Sequence, residues 1–194
     1  MPAPSIPHFT GDASWVHAQE GHAGTAYWPG GASGVTLDPG FDLGAGDWRL
    51  FDAHYEPLLT DAQVAACRRC RGVQGAAAKR LLALLRPSLG TIRISRAEAD
   101  RLFPLVAAPY WKAICARFPR LRTAPPGVQT AMLSLAYNRG PGNKGLAGLG
   151  DNIGRDDWKG LAREIHAMQQ LHPLPGIRRR RRAEARLIDP NLGR

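Results

Sequence analysis

SWVHAQEGHAGTAYWPGGASGVTLDPGFDLG, residues 14–44, is the stretch whose reading decides the fold. It opens on a short helical pattern. Asp12 is a candidate N-cap, and Trp15, Val16 and Gln19 share one face of a helix over about 13–20. Gly21 and Gly24 break that pattern. β-formers then alternate with glycine through 25–44: Ala26-Tyr27-Trp28, Val35-Thr36-Leu37 and Phe41-Asp42-Leu43. A glycine-rich hairpin after a short helix follows from this pattern, because glycine permits tight turns and close approach of another chain.

The stretch also places acids on both sides of the glycine-rich segment. Glu20 falls in the last turn of the helix, where the backbone dipole is negative. That location works against a charged carboxylate and suits a proton donor. Asp38 and Asp42 follow on the hairpin. One acid that donates a proton and one that stays ionised are the two groups that hydrolysis of a glycosidic bond needs. Read alone, Glu20 is an exposed acid at a helix end, and Thr36 is a β-branched strand residue.

The run Glu20-Gly21, Tyr27, Ser33-Gly34-Val35-Thr36-Leu37 and Gly40-Phe41-Asp42-Leu43-Gly44 resembles the catalytic hairpin of the phage-type (T-even-like) lysozyme family, closest to its pesticin-like muramidase branch. The resemblance implies three catalytic residues: Glu20 as general acid, with Asp42 and Thr36 positioning and activating water. Asp38-Pro39 stands where that branch has glycine, so Asp38 is a second candidate for the ionised carboxylate. Trp28-Pro29 stands where the T-even proteins carry an aspartate, so that version of the site is absent. Further along, Ser134-Leu135-Ala136-Tyr137-Asn138-Arg139-Gly140 resembles a cleft-facing segment of these lysozymes. The tail GIRRRRRAEARL, residues 176–187, is similar to the family's closing helix.

The rest of the chain sets the frame for this reading. It has 194 residues, 44% of them hydrophobic, with five tryptophans. That suits one domain with a real core. The net charge of +10 is unevenly spread. Residues 1–66 carry one basic and eight acidic residues, whereas 67–194 carry 25 basic and eight acidic. A basic segment beside an acidic one suits an anionic surface such as peptidoglycan, and nucleic acid is the rival reading. No run of 18 apolar residues occurs, so no membrane span is expected. No signal peptide is visible at the N-terminus. A protein made in the cytoplasm and acting on the cell wall would then need non-classical export, injection or lysis. Cys67, Cys70 and Cys115 form no disulfide framework, and Cys67-x-x-Cys70 without two further ligands is a weak metal signal. Ordinary thiols on helices are expected, with no metal and no cofactor.

Beyond the hairpin, residues 45–60 are a connector with mixed signals. Thr60 and Gln63 read as a capping box opening a helix with Val64, Cys67 and Cys70. Residues 75–86 read as a second helix, and Ser95-Arg96-Ala97-Glu98 as the capped start of a third, to about Val106. A separate helix over 107–118 follows, with Pro109 near its first turn. Val128, Ala131, Met132, Leu135 and Ala136 mark 127–138 as the central core helix. Residues 142–155 read as glycine-rich loop and 156–171 as an amphipathic helix. In the tail, Arg178 to Arg182 would suggest a nucleic-acid patch if read alone. Helical spacing instead puts Ile177, Arg181 and Glu184 on related faces, with Arg180 reaching Glu184 at i+4, so a packed helix with solvated basic faces is expected.

These observations imply a mainly helical α+β fold. The chain is expected to be a single lysozyme-like domain over 1–194, with a small catalytic hairpin lobe at 12–60, a larger helical lobe at 61–194, and a cleft between them. The implied activity is inverting hydrolysis of the β-1,4 bond between N-acetylmuramic acid and N-acetylglucosamine. The implied partner is peptidoglycan, bound by a monomer, with an immunity or inhibitor protein as a further partner and no specific nucleic acid. Tyr27, Phe41 and Asn138 are candidate substrate-binding residues. Tyr27, Trp28 and Phe41 serve equally well as stacking platforms or as core beneath the hairpin. Asn138 serves as a ligand for an N-acetyl group or as a helix cap. The alternatives are a non-catalytic peptidoglycan-binding module of the same fold and a basic nucleic-acid-binding protein.

Overall fold

The computed structural model describes residues 5–192. It is mainly helical, with one two-stranded antiparallel sheet among the described residues. In chain order the elements are α1 (Ala13–Ala18), β1 (Thr36–Leu37), β2 (Phe41–Asp42), α2 (Trp48–His54), α3 (Asp61–Arg68), α4 (Gly75–Leu84), α5 (Arg86–Leu89), α6 (Arg96–Arg117), α7 (Pro126–Arg139), α8 (Leu149–Gly154), α9 (Trp158–Ala167) and α10 (Pro175–Ile188). The chain forms two compact units. Gly21–Val106 belongs to one; Ser5–Glu20 and Ala107–Arg194 belong to the other. The sequence reading divided the chain at residue 60. The structure instead groups α1 with the C-terminal helices, and α3 to α5 with the hairpin.

In the first unit, Thr36 pairs with Asp42 and Leu37 with Phe41. The turn closes with the Gly40 N–H donating to the Leu37 carbonyl at 2.8 Å. Tyr27 adds a bridge to the other edge of β1, exchanging two backbone hydrogen bonds with Thr36 at 2.8 and 2.9 Å. Beneath the hairpin, Phe41 lies 4.9 Å from Tyr55 and 6.1 Å from Phe51, centroid to centroid. Val35, Leu37 and Leu43 complete this buried cluster. The connector over 45–60 is itself structured: Asp47 caps α2 by accepting from Arg49 N–H, and a 3₁₀ turn follows at Glu56–Leu58. The capping box at Thr60 is present with both of its hydrogen bonds.

The two helices expected over 96–106 and 107–118 are one continuous helix, α6, with Pro104 and Pro109 in its interior. Each proline removes a backbone N–H from the ladder and crowds the preceding turn. Burial offsets this: Leu102, Phe103 and Val106, then Trp111, Ile114 and Cys115, are all nearly inaccessible.

In the second unit, α7 is buried all round from Val128 to Ala136. The helix has polar members inside, and they are used. The Gln129 side chain accepts from Thr10 N–H at 2.7 Å, and the Thr130 hydroxyl accepts from Asp12 N–H at 2.8 Å. These two bonds tie the segment before α1 to the core helix. Phe9 meets Trp111 edge-on at 5.0 Å. α10 packs against α9 and α7. Residues 142–155, expected as loop, contain a 3₁₀ turn at Lys144–Leu146 and α8, because Leu146, Leu149 and Ile153 are drawn into the core.

Candidate active site

Glu20 follows α1 by two residues. Gln19 caps the helix, and the Glu20 N–H donates to the His17 carbonyl at 3.0 Å. The Glu20 side chain is 23% exposed and meets a guanidinium: Arg180 Nη2 donates to Glu20 Oε1 at 2.5 Å. The other oxygen, Oε2, accepts from no donor among the described residues. Glu20 lines an open pocket of about 510 Å³ together with Gln19, Asn138, Leu174, Ile177 and Arg179.

Arg180 is itself held from behind. Its Nε donates to the Ser134 hydroxyl at 3.1 Å and to Glu184 Oε1 at 3.2 Å, and its Nη2 donates to the Ser134 carbonyl at 3.2 Å. Ser134 donates to Glu184 Oε1 at 2.5 Å, and Arg181 Nη2 donates to the same oxygen at 2.8 Å. Arg181 and Glu184 are fully buried, and Arg180 is 7% exposed. Two of the five consecutive arginines thus point inward, Arg181 on the face expected to pack and Arg180 paired with Glu184 at the i+4 spacing. Loss of water pushes the Glu184 carboxyl up from its ordinary range and the Arg181 guanidinium down to about 10, against the mutual attraction of the pair. Arg181 Nε and Nη1 and Glu184 Oε2 have no partner among the described residues. Buried polar atoms left this way are where internal water is expected.

The hairpin candidates lie in the other compact unit. Asp42 is half-buried, and its oxygens are occupied. Oδ1 accepts from Gly44 N–H at 2.7 Å and Ala45 N–H at 3.2 Å, and Oδ2 accepts from Gly34 N–H at 2.9 Å. A carboxylate offers about four lone-pair sites, so one remains. Thr36 is 4% exposed, and its hydroxyl donates to the Gly34 carbonyl at 3.3 Å. Asp38 is also 4% exposed. Its Oδ2 lies 2.5 Å from His22 Nδ1, and its Oδ1 accepts from Ala23 N–H at 3.1 Å.

Of the candidate substrate-binding residues, Phe41 belongs to the core under the hairpin, 4% exposed and packed on Tyr55 and Phe51. Tyr27 is half-buried beside β1. Trp28 donates from its indole to the Ser33 carbonyl at 3.0 Å and lies under Lys79. Asn138 sits one residue before the end of α7. Its Oδ1 accepts from Arg181 Nη2 at 3.3 Å while the residue lines the Glu20 pocket. Gly140, with φ of 82°, ends the helix instead.

The three cysteines are free and buried, and among the described residues no group of three His, Cys, Asp or Glu side chains could hold a metal ion. No helix among them is long and apolar enough to cross a membrane. Sequence reasoning missed Ser134, the contact of Arg180 with Glu20, and the pairing of His22 with Asp38. The i+4 spacing of Arg180 and Glu184 was a signal for the first cluster. Nothing in the sequence marks a contact across 160 positions. No known family matches the chain, and no curated protein does so either.

Proposed function

We propose that the protein is a peptidoglycan hydrolase of the muramidase type, cleaving the β-1,4 bond between N-acetylmuramic acid and N-acetylglucosamine, with Glu20 as the general acid. One observation carries this reading. Glu20 is anchored through one oxygen by a guanidinium that four further hydrogen bonds hold in place, while its second oxygen accepts from no donor among the described residues and the residue lines an open pocket. A proton donor needs that combination: fixed direction and one unencumbered oxygen for the leaving group. The charge distribution agrees with an anionic wall as substrate. The unit holding Glu20 carries 16 basic and eight acidic residues, whereas Gly21–Val106 carry ten and eight. Attraction of that kind weakens with salt. The hairpin motif that resembles the pesticin-like branch supplies the reaction type.

A second reading has its own observation. Arg180 donates to Glu20 Oε1, and a carboxylate engaged in that contact could bind a sugar chain without cutting it. Zymography on purified sacculi separates the two. Glu20→Gln should abolish clearing that the wild-type protein gives, a loss of at least about 100-fold in rate. Reducing-end muramic acid in the digest, identified by mass spectrometry, fixes the reaction. Absent clearing by the wild type together with retained binding would leave the binding module standing.

A further inference from the structure

We propose that Arg179 binds the free carboxylate on the lactyl arm of muramic acid, so that the protein acts on glycan from which the stem peptides have been removed. This rests on the muramidase reading and names the form of substrate that Glu20 meets. The class of reaction that must supply it is hydrolysis of the amide bond between the lactyl carbonyl and the first amino acid. That reaction leaves a carboxylate on the sugar itself.

The argument rests on what each of the five consecutive arginines holds. Arg178 donates to the His172 carbonyl. Arg180 donates to Glu20, Ser134 and Glu184. Arg181 donates to Glu184 at 2.8 Å and to Asn138 at 3.3 Å, and Arg182 donates to Gln170 at 3.4 Å. Arg179 is exposed and has no acceptor among the described residues. A guanidinium presents its N–H groups as a planar fork that fits a carboxylate through two parallel hydrogen bonds. Four of these forks are engaged within the fold, and that of Arg179 is open.

Its position distinguishes Arg179 from an ordinary solvated arginine. It lines the pocket of about 510 Å³ that holds Glu20, and every residue lining that pocket belongs to the same compact unit. Glu20 is the one acid among the lining residues and is already paired with Arg180, so the charge of Arg179 is uncompensated there. Gly176, Arg179, Arg180 and Ala183 line the pocket at the spacing of one face of α10. The small residues beside Arg179 on this face leave its fork unscreened. At Gly176 an added Cβ would meet no atom within 4 Å. Leu174, 62% exposed, and the half-buried Ile177 give the same pocket an apolar wall. The lactyl arm carries one methyl and one carboxylate on a short ether, so it uses the wall and the fork together. The arm springs from the sugar ring, whereas the carboxylates of a stem peptide lie further from the bond that Glu20 acts on.

The test measures release of reducing ends by the full chain from three soluble glycan preparations. The first is strands that keep their stem peptides but have no cross-links. The second is strands stripped by an amidase. The third is stripped strands whose lactyl carboxyls have been converted to amides. Wild-type kcat/KM should be at least about tenfold higher on stripped strands than on either other preparation, with the difference carried mainly by KM. Arg179→Ala should make the three preparations equivalent and leave Tm unchanged. Arg186→Ala, which removes the same charge from an exposed position outside the pocket, should keep the wild-type ratios. Wild-type ratios below about tenfold would overturn the assignment, as would ratios that Arg179→Ala retains or that Arg186→Ala abolishes equally. A wild-type preference for peptide-bearing strands would also overturn it, by placing the recognised carboxylate on the stem. Wild-type protein that releases no reducing ends from any of the three would overturn the muramidase reading itself, a distinguishable result.

Discussion

Asp42 illustrates how a residue read as catalytic can be claimed by the backbone. The hairpin turns back on itself between Thr36 and Asp42, and the Gly34 and Gly44 amides need acceptors there. Asp42 supplies them. Gly34 is required for the same reason, since a Cβ at that position would lie 2.2 Å from Asp42 Oδ1 and 2.7 Å from the Gly44 nitrogen. Asp42→Asn should therefore destabilise the fold by about 2 kcal/mol, because an amide replaces charge-assisted acceptors with one neutral oxygen. Urea denaturation measures this; a midpoint equal to wild type would show that the three hydrogen bonds contribute little. Residue identity was legible in the sequence here, and the three backbone bonds were not. An Asp six residues after a Thr has the same letter whether it serves water or three backbone amides.

At the scale of elements, the local signals were the most legible. Capping boxes depend on residues three apart, and both expected ones form. At Ser95, the hydroxyl accepts from Glu98 N–H at 3.2 Å while Glu98 Oε2 accepts from Ser95 N–H at 2.7 Å. The Ser95 hydroxyl also bonds the Glu98 carboxylate and holds it below the usual range. Ser95→Ala should cost about 1 kcal/mol. A depressed carboxylate contributes stability above its unfolded value, about pH 4.3, and loses it on acidification. The variant should thus show a smaller fall in Tm between pH 7 and pH 3 than wild type. Thermal melts at the two pH values decide this, and parallel falls would refute it. The continuity of α6 was not legible. Pro104 and Pro109 are breakers by local rules, and only buried contacts along the helix overrule them. The same holds for α8, where glycines suggested loop and the core recruited Leu149 and Ile153.

At the scale of the molecule, buried polar chemistry governs stability. Arg181→Met would leave Glu184 buried with one guanidinium fewer. Removing one partner of a buried pair costs about 3–5 kcal/mol, whereas replacing both is nearly neutral. Equilibrium unfolding should show Arg181→Met strongly destabilised and the double variant with Glu184→Met at least partly restored. A single variant as stable as wild type would show that the pair is dispensable. The thiols give a pH effect of opposite sense to that of Glu98. Burial pushes Cys67 up to about 12, and Cys70 and Cys115 to about 11. Unfolded thiols ionise near about pH 8.5. Groups raised in the folded state contribute fully below that value and lose their contribution as pH rises toward the folded values. Each thiol then removes about 1.4 kcal/mol per pH unit. The urea midpoint should drop between pH 8 and pH 10, and Cys67→Ala should lessen the drop. An unchanged midpoint would mean that the thiols are accessible to solvent.

The sequence by itself determined the helical class, the hairpin, the two capping boxes, the core helix at α7 and the i+4 pairing of Arg180 with Glu184. These depend on neighbours within a turn or a tight loop, where spacing along the chain equals proximity in space. The tertiary structure alone decided that Arg180 would hold Glu20, that Ser134 would stand behind Arg180, that His22 would meet Asp38, and that the compact units would meet in the chain at Glu20 and Val106. Those outcomes depend on which charges lose water together when distant segments pack, and chain order does not encode that loss.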